Sequence, residues 1–129
     1  AAAAIVQALR ARGKRVVLAT NPIFPAVATE SRIRWAGLEP SDFELYTTYE
    51  NSIHCKPNPA YYADILASLG LDARECLMVG NDVGEDMAAE ALGMSVFLLT
   101  DCLINKGGAD ISAWPHGGFA ELERFTKAL

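Results

Sequence analysis

The 129-residue sequence predicts an α/β fold built on a parallel sheet, and three observations carry that expectation. Short apolar runs rich in β-branched residues alternate with longer segments of helical period. Glycine stands where most helical segments stop. The runs lack polar alternation, as strands buried on both faces do. Strands and helices alternating at short spacing give parallel strands with helices on both faces, a three-layer Rossmann-like arrangement.

Residues 1–12 read as a helix: they are Ala-rich and end at Gly13, with Arg10, Arg12 and Lys14 at the negative end of the helix dipole. Residues 15–20, Arg-Val-Val-Leu-Ala-Thr, read as a strand that Asn21-Pro22 breaks. Pro25 to Ala36 is a helix stopped by Gly37, and residues 44–49 form a second strand candidate. From Pro59 to Leu69, Tyr62, Ile65, Leu66 and Leu69 fall on one helical stripe, and Gly70 follows. Residues 76–80 make a third strand, Glu85 to Leu92 a helix ended by Gly93, and residues 95–100 a fourth strand. The tail holds glycine loops at 107–108 and 117–118 and a last helix from Phe119 to Lys127.

Composition narrows the partners. Hydrophobic residues make up 51% of the chain and charged residues 21%, a globular balance with no repeat or linker. Eleven Lys and Arg against sixteen Asp and Glu leave a net charge of −5, which argues against nucleic acid and anionic membrane. No apolar run approaches the roughly 18 residues of a membrane span. Three cysteines, Cys55, Cys76 and Cys102, cannot all pair and lack metal-site spacing, so reduced thiols in a cytoplasmic protein are expected. Trp35 and Trp114 are read as packing residues, and His54 and His116 as structural or solvent-facing.

In parallel sheets of this kind ligands bind beyond the carboxyl ends of the strands. The polar residues there are Thr20 and Asn21, then Asn81 and Asp82, then Asp101, with Lys56 ahead of the helix that leads to the third strand. Asp82, Glu85 and Asp86 place three carboxylates within five residues. Crowded carboxylates stay ionised most cheaply around a hard cation, and Mg²⁺ suits one or two of them plus phosphate oxygens. Glu85 and Asp86 are equally at home in the first turn of a helix. Thr20, a hydroxyl followed by backbone N–H groups, suits phosphate oxygens, although a threonine ending a strand is common. Lys56, framed by Pro57 and Pro59, could offset the charge of a phosphoryl transition state; an ordinary surface lysine is the alternative.

Taken in order, these residues resemble the haloacid dehalogenase superfamily of phosphohydrolases. Val16-Val17-Leu18-Ala19-Thr20 with Asn21 looks like its second motif, Cys55-Lys56-Pro57-Asn58-Pro59 like its third, and Leu77-Met78-Val79-Gly80-Asn81-Asp82 with Asp86 like its fourth. The resemblance runs from about residue 14 to 105. It implies that Thr20 and Asn21 hold the phosphoryl group, that Lys56 steadies nucleophile and phosphate, and that Asp82 holds Mg²⁺ with Asp86 in support. The fourth motif usually reads Gly-Asp; with Asn81 after Gly80, Asn81 or Glu85 could share the register instead.

The first motif, Asp-x-Asp-x-Thr or Val, should lie upstream of Thr20, yet residues 1–19 contain no Asp. The expectation is therefore a C-terminal portion of the core domain, its nucleophile, central strand and any cap lying N-terminal to residue 1 or on another chain. The 35 residues between Thr20 and Lys56 leave no room for a large cap there. Without the central strand, its two neighbours would face a gap of roughly 10 Å, twice the usual strand spacing. The expected activity of the intact protein is Mg²⁺-dependent hydrolysis of a small phosphorylated metabolite through an aspartyl-phosphate. The alternatives are a 2-haloacid dehalogenase, which needs no Mg²⁺, and a non-catalytic phospho-ligand-binding scaffold. A phospho-accepting receiver domain fails on order, because its acids precede its Thr and Lys.

Overall fold

The computed structural model describes all 129 residues. They form two compact units, residues 1–55 and 56–129. Every strand pairing is parallel, so the expected α/β class holds.

The first unit contains α1 (Ala2–Ala11), β1 (Val17–Leu18), α2 (Ala26–Trp35) and β2 (Leu45–Tyr46). β1 pairs with β2 in the register Val17 with Leu45 and Leu18 with Tyr46. Ile5, Ile33 and Leu38 supply its buried apolar residues, with Thr29, Thr47 and Thr48 buried beside them. Polar links fix the frame. Arg10 donates to Asp42 at 2.8 Å, Arg15 forms a two-pronged ion pair with Glu44, and both Glu50 oxygens accept from the Ala26 N–H at the start of α2. Pro25 offers no side-chain oxygen for that cap, and Glu50 supplies it from a distant loop.

Two expectations for this unit are corrected. The strand read over residues 15–20 holds strand geometry only at Val17–Leu18, and both residues are half-buried rather than enclosed. Trp35 is no packing residue: at the last position of α2 it is 82% exposed.

The second unit contains α3 (Pro59–Leu69), β3 (Leu77–Gly80), α4 (Val83–Asp86), β4 (Ser95–Leu99), β5 (His116–Gly117) and α5 (Phe119–Lys127). The strand order is β3-β4-β5, and β4 is central, with Val96, Phe97 and Leu98 buried. Tyr61, Tyr62, Met78, Met87, Ala89 and Leu122 complete the core, and Phe97 meets Phe125 of α5 at 5.1 Å between ring centres. α3 has the predicted limits for local reasons. Asn58 accepts from the Ala60 N–H, Pro59 is preset at the first position, and Gly70 ends the helix at φ +64°.

Here too the sequence reading changes in places. The helix expected over 85–92 begins two residues earlier, because Asp82 accepts from the Glu85 N–H and caps it. From Met87 to Leu92 it tightens to a 3₁₀ helix. Gly117, read as part of a loop at 117–118, joins His116 to form β5, held by Leu98 N–H to the Pro115 carbonyl and Thr100 N–H to the Gly117 carbonyl. Trp114 is half-buried, and His116 is exposed with Nδ1 2.9 Å from the Trp114 carbonyl. No helix is long and apolar enough to cross a membrane.

Candidate active site

β3 ends at Gly80, and the chain then enters α4 through Asn81 and Asp82. Two anchors fix this turn to the segment after β4: the Asn81 side-chain amide donates to the Cys102 carbonyl at 2.7 Å, and the Ile104 N–H donates to the Asn81 carbonyl at 2.8 Å. The Val83 N–H in turn donates to Ile104 at 2.9 Å. The Asn81 amide nitrogen and backbone carbonyl thereby serve as structural ties.

Within this frame the sequence-predicted residues Lys56, Asp82 and Asp86 come together. The Lys56 ammonium lies 2.6 Å from Asp86 Oδ1, with only 9% and 5% of the two side chains exposed. Asp86 Oδ2 accepts from the Asp82 N–H at 3.0 Å, so its carboxylate is held from both sides. Asp82 Oδ1 accepts from the Glu85 N–H at 3.1 Å, while Oδ2 has no protein partner. A buried ion pair is stable only when its remaining polar positions are satisfied, and the Asp82 N–H meets that need.

Gly80 makes the approach possible. A Cβ on it would lie 2.2 Å from Asp86 Oδ2 and 2.4 Å from Asp86 Cβ, closer than real atoms stand. From α3, the buried Tyr62 hydroxyl donates to the Glu85 carbonyl. Burial raises the Tyr62 phenol well above its ordinary pKa, and the nearby Asp86 charge adds to the shift. The sequence does not mark Tyr62 as a site residue because its stripe position reads as core; its hydroxyl, which needs a partner when buried, is the one signal of a polar contact.

The other candidates lie apart from this cluster in role. Thr20 and Asn21 are half-buried in the first unit, just beyond β1, and the Thr20 carbonyl accepts from the Thr47 hydroxyl. Asp101 caps α5 by accepting from the Phe119 N–H at 3.1 Å. Glu85 serves the turn through its backbone, donating to Asp82 and accepting from Tyr62.

Residues 1–93 match the haloacid dehalogenase-like hydrolases as a family. The chain belongs to that family. The haloacid dehalogenase-like fold is also that of several solved structures. A predicted phosphoglycolate phosphatase from Haemophilus somnus 129pt matches at 23% identity and a TM-score of 0.73, over 95% of this chain and 54% of the other. A haloacid dehalogenase phosphatase from Thermococcus onnurineus matches at 20% identity and 0.73, over 95% and 54%. An L-2-haloacid dehalogenase matches at 19% identity and 0.76, over 95% and 53%. The chain thus spans about half the length of these structures. No curated protein sequence matches it.

The family commonly uses Mg²⁺, and the donor set can be tested for it. Asp86 has both oxygens engaged, one by an ammonium, which opposes direct contact with a cation. Asp82 Oδ2 is a hard oxygen without a protein partner, as a Mg²⁺ ligand must be. No group of three or more His, Cys, Asp and Glu side chains gathers at one point, and Mg²⁺ needs no such cage because water and substrate phosphate fill its other positions. The fit is to Asp82 as ligand and Asp86 as support.

Proposed function

We propose that the intact protein is a Mg²⁺-dependent phosphohydrolase acting on a small phosphomonoester. The observation that carries this reading is the buried Lys56–Asp86 pair beside Asp82 at the carboxyl end of β3. It keeps a cation in a water-poor place, held 2.6 Å from a buried carboxylate. There an ammonium stabilises developing negative charge far better than a solvated lysine does. Two structural neighbours, a predicted phosphoglycolate phosphatase and a haloacid dehalogenase phosphatase, agree with it.

The roles follow from the chemistry of each group. An aspartate N-terminal to residue 1 would attack phosphorus as the P–O bond to the substrate alcohol breaks and the alcohol leaves, and water would then hydrolyse the aspartyl-phosphate to inorganic phosphate and free aspartate. Thr20 and Asn21 hold phosphoryl oxygens, and Lys56 balances their charge. Asp86 holds Lys56 in place and leaves Asp82 to face the metal. Bound Mg²⁺ would supply charge neutralisation on the phosphoryl oxygens, with Asp82 as its protein ligand. A cytoplasmic location is part of the proposal and accords with the three free thiols.

Dehalogenation has one observation in its favour: Lys56 neutralises Asp86 without any added cation. A single experiment separates the readings. Protein carrying the residues upstream of Ala1 is assayed for phosphate release from a panel of phosphomonoesters and for chloride release from L-2-chloropropionate, with Mg²⁺ and with EDTA. Phosphate release that EDTA abolishes supports the phosphohydrolase. Chloride release that EDTA leaves intact replaces it with the dehalogenase, and inactivity in both assays leaves the binding scaffold.

A further inference from the structure

We infer that Tyr62 is a positioning residue for the Lys56–Asp86 pair, a role that rests on the phosphoryl-site reading above. α3 connects the two ends of the arrangement. Lys56 stands three residues before its first residue, Pro59, and Tyr62 lies one turn inside it. The Tyr62 side chain is almost wholly enclosed, and its hydroxyl donates to the Glu85 carbonyl. Glu85 is the residue whose N–H is fixed by Asp82 Oδ1 at 3.1 Å, and it directly precedes Asp86. Both faces of this short turn are therefore tethered, one to the loop and one to α3.

The contacts close into a ring: Lys56 to α3, α3 through Tyr62 to Glu85, Glu85 to Asp86, and Asp86 Oδ1 back to the Lys56 ammonium at 2.6 Å. Such a ring holds an ammonium at one point only while every link has its length. Without the hydroxyl, the Glu85 carbonyl loses a buried partner, and the turn that carries Asp86 gains freedom relative to α3. Lys56 then samples more positions, and a flexible four-carbon stem has many available. Tyr61 is the natural control. It is adjacent, equally buried and packed edge-to-face on Tyr62 at 5.0 Å, so removing its hydroxyl perturbs the same core.

The test is ¹⁵N NMR of the lysine ammonium groups in the intact protein, comparing Tyr62→Phe and Tyr61→Phe with the parent. Tyr62→Phe keeps the ring, and hence the packing. It is expected to speed hydrogen exchange at the Lys56 ammonium about fivefold, the scale of one lost hydrogen bond. The Lys56 resonance should also move toward those of exposed Lys14, Lys106 and Lys127, while Tyr61→Phe leaves Lys56 unchanged. A Tyr62→Phe protein with parental Lys56 exchange overturns the inference, as does an equal response in both variants, which would mark a packing role. The readout needs no turnover. An intact protein without phosphatase activity would therefore remove the proposed function and leave the ordering of Lys56 by Tyr62 standing.

Discussion

Lys56 and Asp86 exclude water from an ion pair that neither could form alone in that place. Replacing Lys56 with Met leaves a buried carboxylate with one N–H for company, at a cost of about 3–5 kcal/mol. That is a large share of the roughly 5–15 kcal/mol by which domains are stable. A urea titration of Lys56→Met should show the loss, and adding Asp86→Asn should recover part of it, because the stranded charge is gone. Gly80→Ala acts on the same pair from the strand. Its Cβ would overlap Asp86, so the carboxylate must leave Lys56 or β3 must shift. A destabilisation of about 2–3 kcal/mol is expected from this overpacking, read as a lower urea midpoint. Tyr62 gives the pH dependence. Its phenol pKa is raised above the ordinary 10.0 in the fold. The unfolded chain loses that proton first, so the contribution is complete below pH 10 and is lost as pH climbs toward the folded value. Melting temperature should fall more steeply above about pH 10 in the parent than in Tyr62→Phe, the ordinary phenol range being the dividing point.

Among the elements, α3 shows how local signals set boundaries. Asn58→Ala removes the oxygen that accepts from Ala60 N–H and should cost about 1 kcal/mol, measured by thermal melting with an unchanged helical signal. These limits were legible because Asn58, Pro59 and Gly70 act within one turn of themselves. α5 was legible in the same way, with Gly118 before it and charges along its outer face. β5 was not. His116 and Gly117 carry no strand preference, and only hydrogen bonds offered by β4, some eighteen residues away, hold them extended. α4 starts two residues before the limit its carboxylates suggest, because Asp82 caps it through one oxygen and keeps the other. In the site, the carboxylates and the lysine were legible as residue types on a strand end. Which of them meet was not, because that depends on Asp86 lying one helical turn inside α4 and on the missing side chain of Gly80.

At the scale of the molecule, β1 has a ladder on one side, to β2, and β3 has one on one side, to β4. The two-residue, two-stranded pairing of β1 with β2 contributes little by itself, whereas β3 belongs to a three-stranded sheet with one open edge. We propose that a further strand, from upstream residues or another chain, completes the sheet. On that reading, residues 1–129 alone melt over a broad range by circular dichroism at 222 nm, and protein carrying the upstream residues melts sharply and at higher temperature. A sharp, cooperative transition for residues 1–129 would dismiss the need for that strand.

The two tryptophans divide the chain as an optical experiment would wish. Trp35, 82% exposed, has little solvent change left to report on unfolding. Trp114 is half-buried, with Nε1 3.4 Å from Glu90. The red shift of intrinsic fluorescence during denaturation therefore tracks residues 56–129 almost exclusively, and a fluorescence midpoint belongs to the half that carries Lys56, Asp82 and Asp86.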